Sequence, residues 1–178
     1  IICCALKFFD ENKVDLLVLE AGLGGRLDAT SAHKLRPIIA IGKIGVDHSD
    51  YLGDTIEKIT EEKIAVIQKN CFVISCKQEF EVEALINKKV QDVKANMIWV
   101  DPLSKEWELS LKGNFQRENA AVAMGVITLL NKLGWDIKSS FIKKGFSTTK
   151  WPGRLELVEW KNKKVLITGA TGGLGGSL

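Results

Sequence analysis

Apolar runs that end in glycines or in ionisable groups constrain the fold of this chain more than any other feature. Residues 14–20 form an almost continuous apolar run bounded by turn-forming residues, and a second run, rich in β-branched residues, covers 38–46. Runs of this kind are typical of strands buried on both faces of a parallel sheet. Helix-like and strand-like segments alternate after them. The sequence therefore predicts an α/β fold with a mainly parallel sheet flanked by helices.

The same pattern gives bounds for the individual elements. Helices are predicted over residues 1–12, 54–69, 79–90, 118–133 and 137–145. Besides the two runs above, strands are predicted over residues 72–75, 97–100, 107–111, 155–160 and 164–168. Asp54 or Thr55 can cap the second helix, and Gly134 ends the fourth.

The turn formed by Trp151, Pro152 and Gly153 marks the predicted domain boundary. It separates a first domain, residues 1–150, from the first strands of a second domain in residues 151–178.

Composition and charge exclude several classes of function. The chain has 178 residues, and its net charge of +3 comes from 25 basic and 22 acidic residues spread along the sequence, which predicts no nucleic-acid partner. No apolar run approaches the roughly 20 residues that a membrane span needs, so no membrane partner is expected. The four cysteines form no Cys-x-x-Cys pair and have no histidine at ligand spacing. This cysteine usage indicates reduced thiols and a cytoplasmic location.

Ionisable side chains follow both apolar runs, at the edge where ligands of parallel sheets collect. Glu20 ends the first run, and His48 follows the second. A carboxylate in the position of Glu20 can bind a hard cation such as Mg²⁺, or it can be a half-exposed acid at a strand end. His48 can be a ligand or a structural histidine. Gly22, Gly24 and Gly25 let the backbone approach a ligand closely, or they form no more than a tight turn.

Lys63 lies on the apolar face of the second predicted helix. At about 100° per residue it shares this face with Ile56, Ile59, Val66 and Ile67. A lysine there must extend its ammonium group to water or find a partner, because an isolated buried cation is costly. Either Lys63 forms an ion pair with a nearby acid such as Glu20, or it is a functional lysine that faces the same site as Glu20 and His48.

Gln116 and Asn119 lie at the start of the longest predicted helix. A helix N-terminus favours anionic ligands such as phosphates, and side-chain amides can read an adenine edge. Helix capping is the simpler alternative for both residues. Arg154 follows the turn at residues 151–153 and can hold a phosphate, or it can be an ordinary surface arginine.

Together these stretches resemble the folylpolyglutamate synthase/dihydrofolate synthase family, a branch of the Mur ligases. The most diagnostic block runs from Leu19 to Thr30 and reads LEAGLGGRLDAT. The other blocks follow in the order and spacing of the family: Asp47–His48 with Leu52–Gly53, Glu62–Lys63, Gly113–Gln116 with Asn119, and Trp151–Arg154. Five blocks in one order are far more specific than any one of them.

The resemblance implies metal-binding roles for residues of the first blocks. Glu20 and His48 would be Mg²⁺ ligands. Lys63 would match the lysine that the family carbamylates, and a carbamate turns a cation into an anion that can bind a metal. The resemblance thus accounts for a lysine on an apolar helix face.

The resemblance also implies a nucleotide site and a reaction. Asn119 and Arg154, with the neighbouring Gln116, would contact ATP. ATP would phosphorylate a carboxylate of a folate or of dihydropteroate, and the amine of L-glutamate would attack the acyl phosphate to form an amide. The expected cofactors are ATP and Mg²⁺, the expected substrates are a folate or dihydropteroate and L-glutamate, and the expected state is a monomer.

Departures from the family pattern limit what this stretch of chain is expected to do. The family's P-loop, which cradles phosphates, would lie upstream of residue 1, and most of the second domain would lie beyond Leu178. Residues 168–172 read TGATG where the family has an acid and an imidazole group. The chain is therefore expected to be an inactive fragment of such a ligase. A non-catalytic nucleotide-binding module is an alternative.

The tail carries a resemblance of its own. Val165–Gly175 resembles the strand and Thr-Gly-x-x-x-Gly-x-Gly turn that open NAD(P)-dependent short-chain dehydrogenases. Only three residues follow Gly175, so no dinucleotide-binding fold can be completed there. A dehydrogenase relative is the other alternative, and it predicts NAD(P) binding without ATP binding.

Overall fold

The computed structural model describes residues 1–46 and 49–168, with residues 49 and 50 described by their backbone alone. Among these residues the helices are α1 (Ile2–Glu11), α2 (Ser49–Leu52), α3 (Ile56–Ile64), α4 (Phe80–Val93), α5 (Phe115–Lys132) and α6 (Ser139–Thr148). The strands are β1 (Ile38–Ile41), β2 (Phe72–Cys76), β3 (Asn96–Val100), β4 (Glu156–Trp160) and β5 (Lys163–Ile167). A 3₁₀ turn covers Ala29–Ala32. No helix in the described ranges is both long enough and apolar enough to cross a membrane.

Strands β1, β2 and β3 form a parallel sheet in that order. Helix α3 lies in the connection from β1 to β2, and α4 lies in the connection from β2 to β3, because parallel neighbours need a crossover. Near the start of the strands, the N–H of Phe72 donates to the carbonyl of Pro37 at 2.8 Å, and the N–H of Asn96 donates to the carbonyl of Cys71 at 2.8 Å. The predicted α/β architecture is confirmed.

The chain forms two compact units. The first comprises the described residues within 1–39, 44–73 and 79–97, and the second comprises those within 40–43, 74–78 and 98–178. The expected domain boundary at residue 151 stays a prediction.

The core of the first unit lies where α3 packs against α4. The side chains of Ile59, Val82 and Ile86 are completely buried there, together with Val73 of β2. Burying an aliphatic side chain of this size stabilises a fold by roughly 1.5–3 kcal/mol. The contact of α3 with α4 therefore fixes the helix that carries Lys63.

Helix α3 begins where the sequence predicts and ends earlier. Thr55 is its N-cap, and the Thr55 hydroxyl accepts a hydrogen bond from the N–H of Lys58 at 3.3 Å. The helix stops at Ile64 rather than near Lys69. Ala65 is the C-cap, and the two residues after it, Val66 and Ile67, are β-branched and lose side-chain freedom in a helix. The N–H of Ile67 closes a turn on the carbonyl of Ile64 at 3.0 Å.

In the second unit, α5 packs closely on β2 and β3 because a glycine faces the sheet. A Cβ added at Gly125 would lie 2.8 Å from Cγ2 of Ile74 and 3.1 Å from Cγ1 of Val100. Ala121, Leu129 and other apolar residues of α5 are buried beside it. Any larger residue at position 125 would push the helix away from the sheet.

Strands β4 and β5, both of which the sequence predicts, form an antiparallel hairpin. Their register runs from Glu156 opposite Ile167 to Trp160 opposite Lys163. Lys161 and Asn162 at the turn have φ angles of 50° and 60°. Two consecutive positive φ angles define the type I′ turn whose twist matches that of a hairpin.

The prediction of a strand over residues 14–20 is wrong. This segment is extended but belongs to no sheet in the described part of the chain, and the side chain of Val18 is 82% exposed. An apolar run becomes a strand only when a neighbouring strand takes up its backbone hydrogen bonds. The second predicted run stops early too, because β1 ends at Ile41 and is followed by Gly42. Glycine weakens the interior of a strand.

The predicted strand over residues 107–111 is wrong as well. Its side chains and backbone contact α6 rather than another strand. The Trp107 ring meets the ring of Phe146 edge to face, with 5.8 Å between their centroids, and the N–H of Ser110 donates to the carbonyl of Phe146 at 3.0 Å. The apolar side chains thus pack on a helix in an irregular segment.

Candidate functional site

The carboxylate of Asp28 organises the glycine-rich loop. Its Oδ2 accepts hydrogen bonds from the backbone N–H groups of Gly22 at 2.9 Å and Leu23 at 3.1 Å. Its Oδ1 accepts from the N–H of Thr30 at 2.9 Å and from the Thr30 hydroxyl at 2.6 Å. One side chain therefore joins the start of the loop to the 3₁₀ turn that ends it.

These hydrogen bonds also set the charge state of Asp28. Burial opposes ionisation, but the bonds from Thr30, Leu23 and Gly22 outweigh it and lower the pKa of the Asp28 carboxyl below its ordinary value. Hydrogen bonds to a carboxylate favour its charged form. The backbone groups of the loop therefore bind Asp28 more strongly when it is an anion.

The glycine-rich loop lies against the last turn of α3. A Cβ added at Gly25 would lie 3.0 Å from the carbonyl oxygen of Glu62 and 3.1 Å from that of Lys63, so only glycine fits without a shift. The N–H of Arg26 donates to the Glu62 carbonyl at 3.2 Å, and the Arg26 Nε lies 2.9 Å from the Glu62 carboxylate. The loop and the turn that carries Lys63 form one local structure.

Lys63 is half-buried in that turn, between the buried residues Ile59 and Ile67. The side chains next to Lys63 are therefore apolar, as the sequence predicts. No ion pair joins Lys63 to Glu20, or to any other residue that the structure describes. Glu20 is exposed at the end of the extended segment that precedes the glycines.

The predicted metal site is only partly within the described residues. His48 lies outside them. Among the residues that are described, no group of three or more acidic, histidine or cysteine side chains could hold a metal ion. The Mg²⁺ roles of Glu20 and His48 therefore stay predictions.

The structure brings Gln116 and Asn119 into contact at the start of α5. The Asn119 Nδ2 donates to the Gln116 Oε1 at 3.1 Å. Gln116 is buried and Asn119 is exposed, so the pair presents one amide to solvent. Arg154 is exposed on the turn before β4, and its guanidinium carbon lies 5.7 Å from the centre of the Trp151 ring. No hydrogen bond joins Arg154 to either amide within the described residues.

Sequence reasoning assigned no role to Asp28, Arg26, Glu62 or Gln78. A signal for Asp28 exists: an aspartate two residues before a threonine is typical of a turn in which the side chain bonds the backbone. Arg26 and Glu62 are 36 residues apart, and nothing in the sequence pairs them. Gln78 looks like an ordinary polar residue after a strand, yet it is only 5% exposed.

Known proteins match the chain over most of its length. The dihydrofolate synthase/folylpolyglutamate synthase of Bacillus subtilis is 30% identical over 193 residues, which cover 94% of this chain and 44% of that protein. The dihydrofolate synthetase of Saccharomyces cerevisiae is 31% identical over 184 residues, which cover 92% of this chain and 42% of that protein. No protein-family model matches.

Solved structures agree with these relatives. The folylpolyglutamate synthase of Thermotoga maritima is 26% identical with a TM-score of 0.75, covering 91% of this chain and 41% of that one. The Mycobacterium tuberculosis folylpolyglutamate synthase, complexed with ADP and AMPPCP, is 25% identical with a TM-score of 0.80. The match covers 92% of this chain and 42% of that one. A folylpolyglutamate synthase complex with AMPPCP and folate has a TM-score of 0.84 at 22% identity, and so shows the fold alone.

The chain spans less than half the length of the relatives that it matches. Within that span the sequence similarity, the fold and the family blocks agree. The chain is therefore homologous to a part of the folylpolyglutamate synthases and dihydrofolate synthases.

Proposed function

We propose that this chain is part of an ATP-dependent ligase that joins L-glutamate to a carboxylate of a folate or of dihydropteroate. The observation that carries the proposal is the similarity to synthases of both names across more than nine-tenths of the chain. The Mycobacterium tuberculosis relative was solved with ADP and AMPPCP, which supports ATP as the nucleotide. No specific observation favours a dehydrogenase: residues 169–175, which carry the tail motif, lie outside the described residues.

The proposed reaction has two steps. The γ-phosphoryl group of ATP passes to the substrate carboxylate, giving an acyl phosphate and ADP. The amine of L-glutamate then attacks the acyl carbon, an amide forms, and phosphate leaves with the loss of one amine proton. Charge develops on the phosphoryl oxygens during the first step, so the site must place positive groups beside them.

The exposed carboxylate of Glu20, which precedes the glycine-rich loop, supports the proposed magnesium site. Glu20 has an exposed carboxylate that makes no ion pair among the described residues, and Mg²⁺ is bound through one or two carboxylates while it keeps several waters. A carbamate on Lys63 would add a second anionic donor in the same unit. A magnesium ion held there would neutralise charge on the transferred phosphoryl group. The glycine-rich loop, which Asp28 holds together, is hydrogen-bonded to the backbone of the turn that carries Lys63.

The proposed nucleotide contacts lie in the second unit. Asn119 presents an amide that can donate to and accept from an adenine edge, and Gln116 fixes its orientation through their hydrogen bond. Arg154 supplies a guanidinium for a phosphate or a ribose. Its stacking on Trp151 limits the conformations that the side chain can adopt.

The compartment and assembly are part of the proposal. All four cysteines are free thiols in the structure, which supports the cytoplasmic location predicted from the sequence. We propose a monomer that has no nucleic-acid or membrane partner.

Magnesium titration calorimetry tests the site assignment. Glu20→Ala and His48→Ala should each weaken Mg²⁺ binding by tenfold or more. Asp15→Ala removes an exposed carboxylate from the same extended segment and should leave binding unchanged. Equal Mg²⁺ affinity of Glu20→Ala and the unmodified chain would contradict the assignment.

A further inference from the structure

Gln78 is a buried polar residue that the proposed reaction does not yet use. It follows β2, and only 5% of its surface is exposed. Its side-chain nitrogen donates to the carbonyl of Gly42 at 2.8 Å and to the hydroxyl of Ser75 at 3.0 Å. Leaving a buried amide or carbonyl without a partner costs about 1–3 kcal/mol, so these bonds hold Gln78 in one orientation.

The bond to Gly42 joins two neighbouring strand ends. Gly42 follows the last residue of β1, and Gln78 comes two residues after the end of β2. A glycine has more backbone freedom than any other residue. The direction of the Gly42 carbonyl, and with it the path of the chain after β1, therefore depends on an outside partner, and Gln78 supplies it.

Gly42 in turn borders the amide proposed to meet the nucleotide. Gly42 has no Cβ, but one added there would lie 3.7 Å from the Oδ1 of Asn119, so the backbone of Gly42 lies close to this amide. On its other side the Asn119 Nδ2 donates to Gln116. Asn119 thus lies between the backbone of Gly42, to which Gln78 is hydrogen-bonded, and a buried glutamine.

We propose that Gln78 is a positioning residue for the nucleotide site: it holds Gly42 in place, and Gly42 keeps the Asn119 amide in the orientation that meets ATP. The inference rests on the proposed function, because it takes Asn119 as a nucleotide contact. The ligand class is an adenine nucleotide. Gln78 itself does not touch it.

The positioning role can be measured without nucleotide. Gln78→Leu keeps about the same volume but has no donor, so the side-chain amide signals of Asn119 in a ¹H–¹⁵N spectrum should shift. Ser75→Ala is the matched control: it removes another acceptor of the Gln78 side-chain nitrogen and keeps the bond to Gly42, so the Asn119 signals should stay in place. Unchanged Asn119 signals in a folded Gln78→Leu variant would overturn the inference.

Nucleotide titration separates this inference from the proposed function. AMPPCP with Mg²⁺ should bind Gln78→Leu about fivefold or more weakly than the unmodified chain, the effect of one hydrogen bond, and should bind Ser75→Ala unchanged. Loss of affinity in Asn119→Ala with full affinity in Gln78→Leu would overturn the role of Gln78 alone. Full affinity in Asn119→Ala would overturn the nucleotide contact and, with it, the positioning role of Gln78.

A measurement on the unmodified chain covers the case in which Gln78→Leu does not fold. The side-chain amide protons of Gln78 should exchange with solvent far more slowly than those of exposed glutamines, because they are buried and bonded to Gly42 and Ser75. Exchange as fast as that of Gln91, an exposed glutamine on α4, would contradict the inference.

Discussion

The guanidinium of Arg26 lies 2.9 Å from the carboxylate of Glu62, and the two residues are also joined through their backbones at 3.2 Å. Glu62 immediately precedes Lys63 on α3. The pair thus ties the diagnostic glycine-rich loop to the helical turn whose lysine is the proposed metal ligand. Without the Arg26–Glu62 pair, the main remaining contact between the glycine-rich loop and the last turn of α3 would be the close approach of Gly25.

Arg26→Ala should disturb metal binding more than stability. The side chains of Arg26 and Glu62 are 54% and 30% exposed, and such pairs contribute about 0–1 kcal/mol. We expect a small decrease in the urea midpoint and a several-fold weaker Mg²⁺ affinity in calorimetry. Lys7→Ala breaks an exposed pair with Glu11 on α1 and should change neither the urea midpoint nor the Mg²⁺ affinity. An Mg²⁺ affinity equal to that of the unmodified chain would show that the loop does not need this tie.

Asp28→Ala should unfold the loop and destabilise the chain by about 1–2 kcal/mol, because four hydrogen bonds lose their acceptor. Asp28 is half-exposed, so water can accept some of the hydrogen bonds that the carboxylate accepts in the unmodified chain. Urea denaturation measures the change, and hydrogen exchange of the Gly22 and Thr30 amides locates it. Protection of both amides in the variant would contradict the assignment.

The lowered pKa of Asp28 predicts a pH dependence of stability. Because the folded state holds this carboxyl at a lower pKa than the unfolded chain does, its contribution is fully present above the unfolded value of about 4. The contribution is lost as pH falls through the lowered folded value. The unfolding free energies of the unmodified chain and Asp28→Asn should therefore converge below about pH 4. A constant difference from pH 7 to pH 3 would rule out this role for the charge.

Gly125→Ala and Gly145→Ala form a matched pair on two helices. Alanine favours a helix by about 1 kcal/mol over glycine, and a Cβ at Gly145 meets no atom within 4 Å, so that variant should be slightly stabilised. At Gly125 the methyl group would lie 2.8 Å from Ile74, and overpacking costs about 1–3 kcal/mol. Thermal melts should therefore move in opposite directions. Stabilisation of both would mean that α5 can move away from the sheet freely.

The sequence predicts those elements whose stability is local or whose partners are nearby. The strands Glu156–Trp160 and Lys163–Ile167 follow from two short runs that are rich in apolar residues and are joined by a turn at Lys161 and Asn162. Helices α4 and α5 follow from their periodicity. The segments at 14–20 and 107–111 have the composition of strands but not the neighbours, and no local pattern states which partner a backbone will find.

The residues of the candidate site also fall into those that the sequence predicts and those that it does not. The apolar face of α3 predicted the half-buried position of Lys63, and the order of the family blocks selected Glu20, Asn119 and Arg154. The residues that hold these groups were not predictable, since their partners are distant in sequence. Gln78 bonds to a carbonyl 36 residues away, and a glutamine after a strand carries no sign of that.

Calorimetric titration of the chain with two nucleotides tests the central claim most directly. Binding of AMPPCP in the presence of Mg²⁺ is expected of an ATP-dependent ligase. Binding of NADPH is expected of the dehydrogenases that the tail resembles. We predict that AMPPCP binds in an Mg²⁺-dependent way, that Asn119→Ala weakens this binding, and that NADPH does not bind. Binding of NADPH without AMPPCP, or of neither nucleotide, would contradict the assignment of this chain to an ATP-dependent ligase.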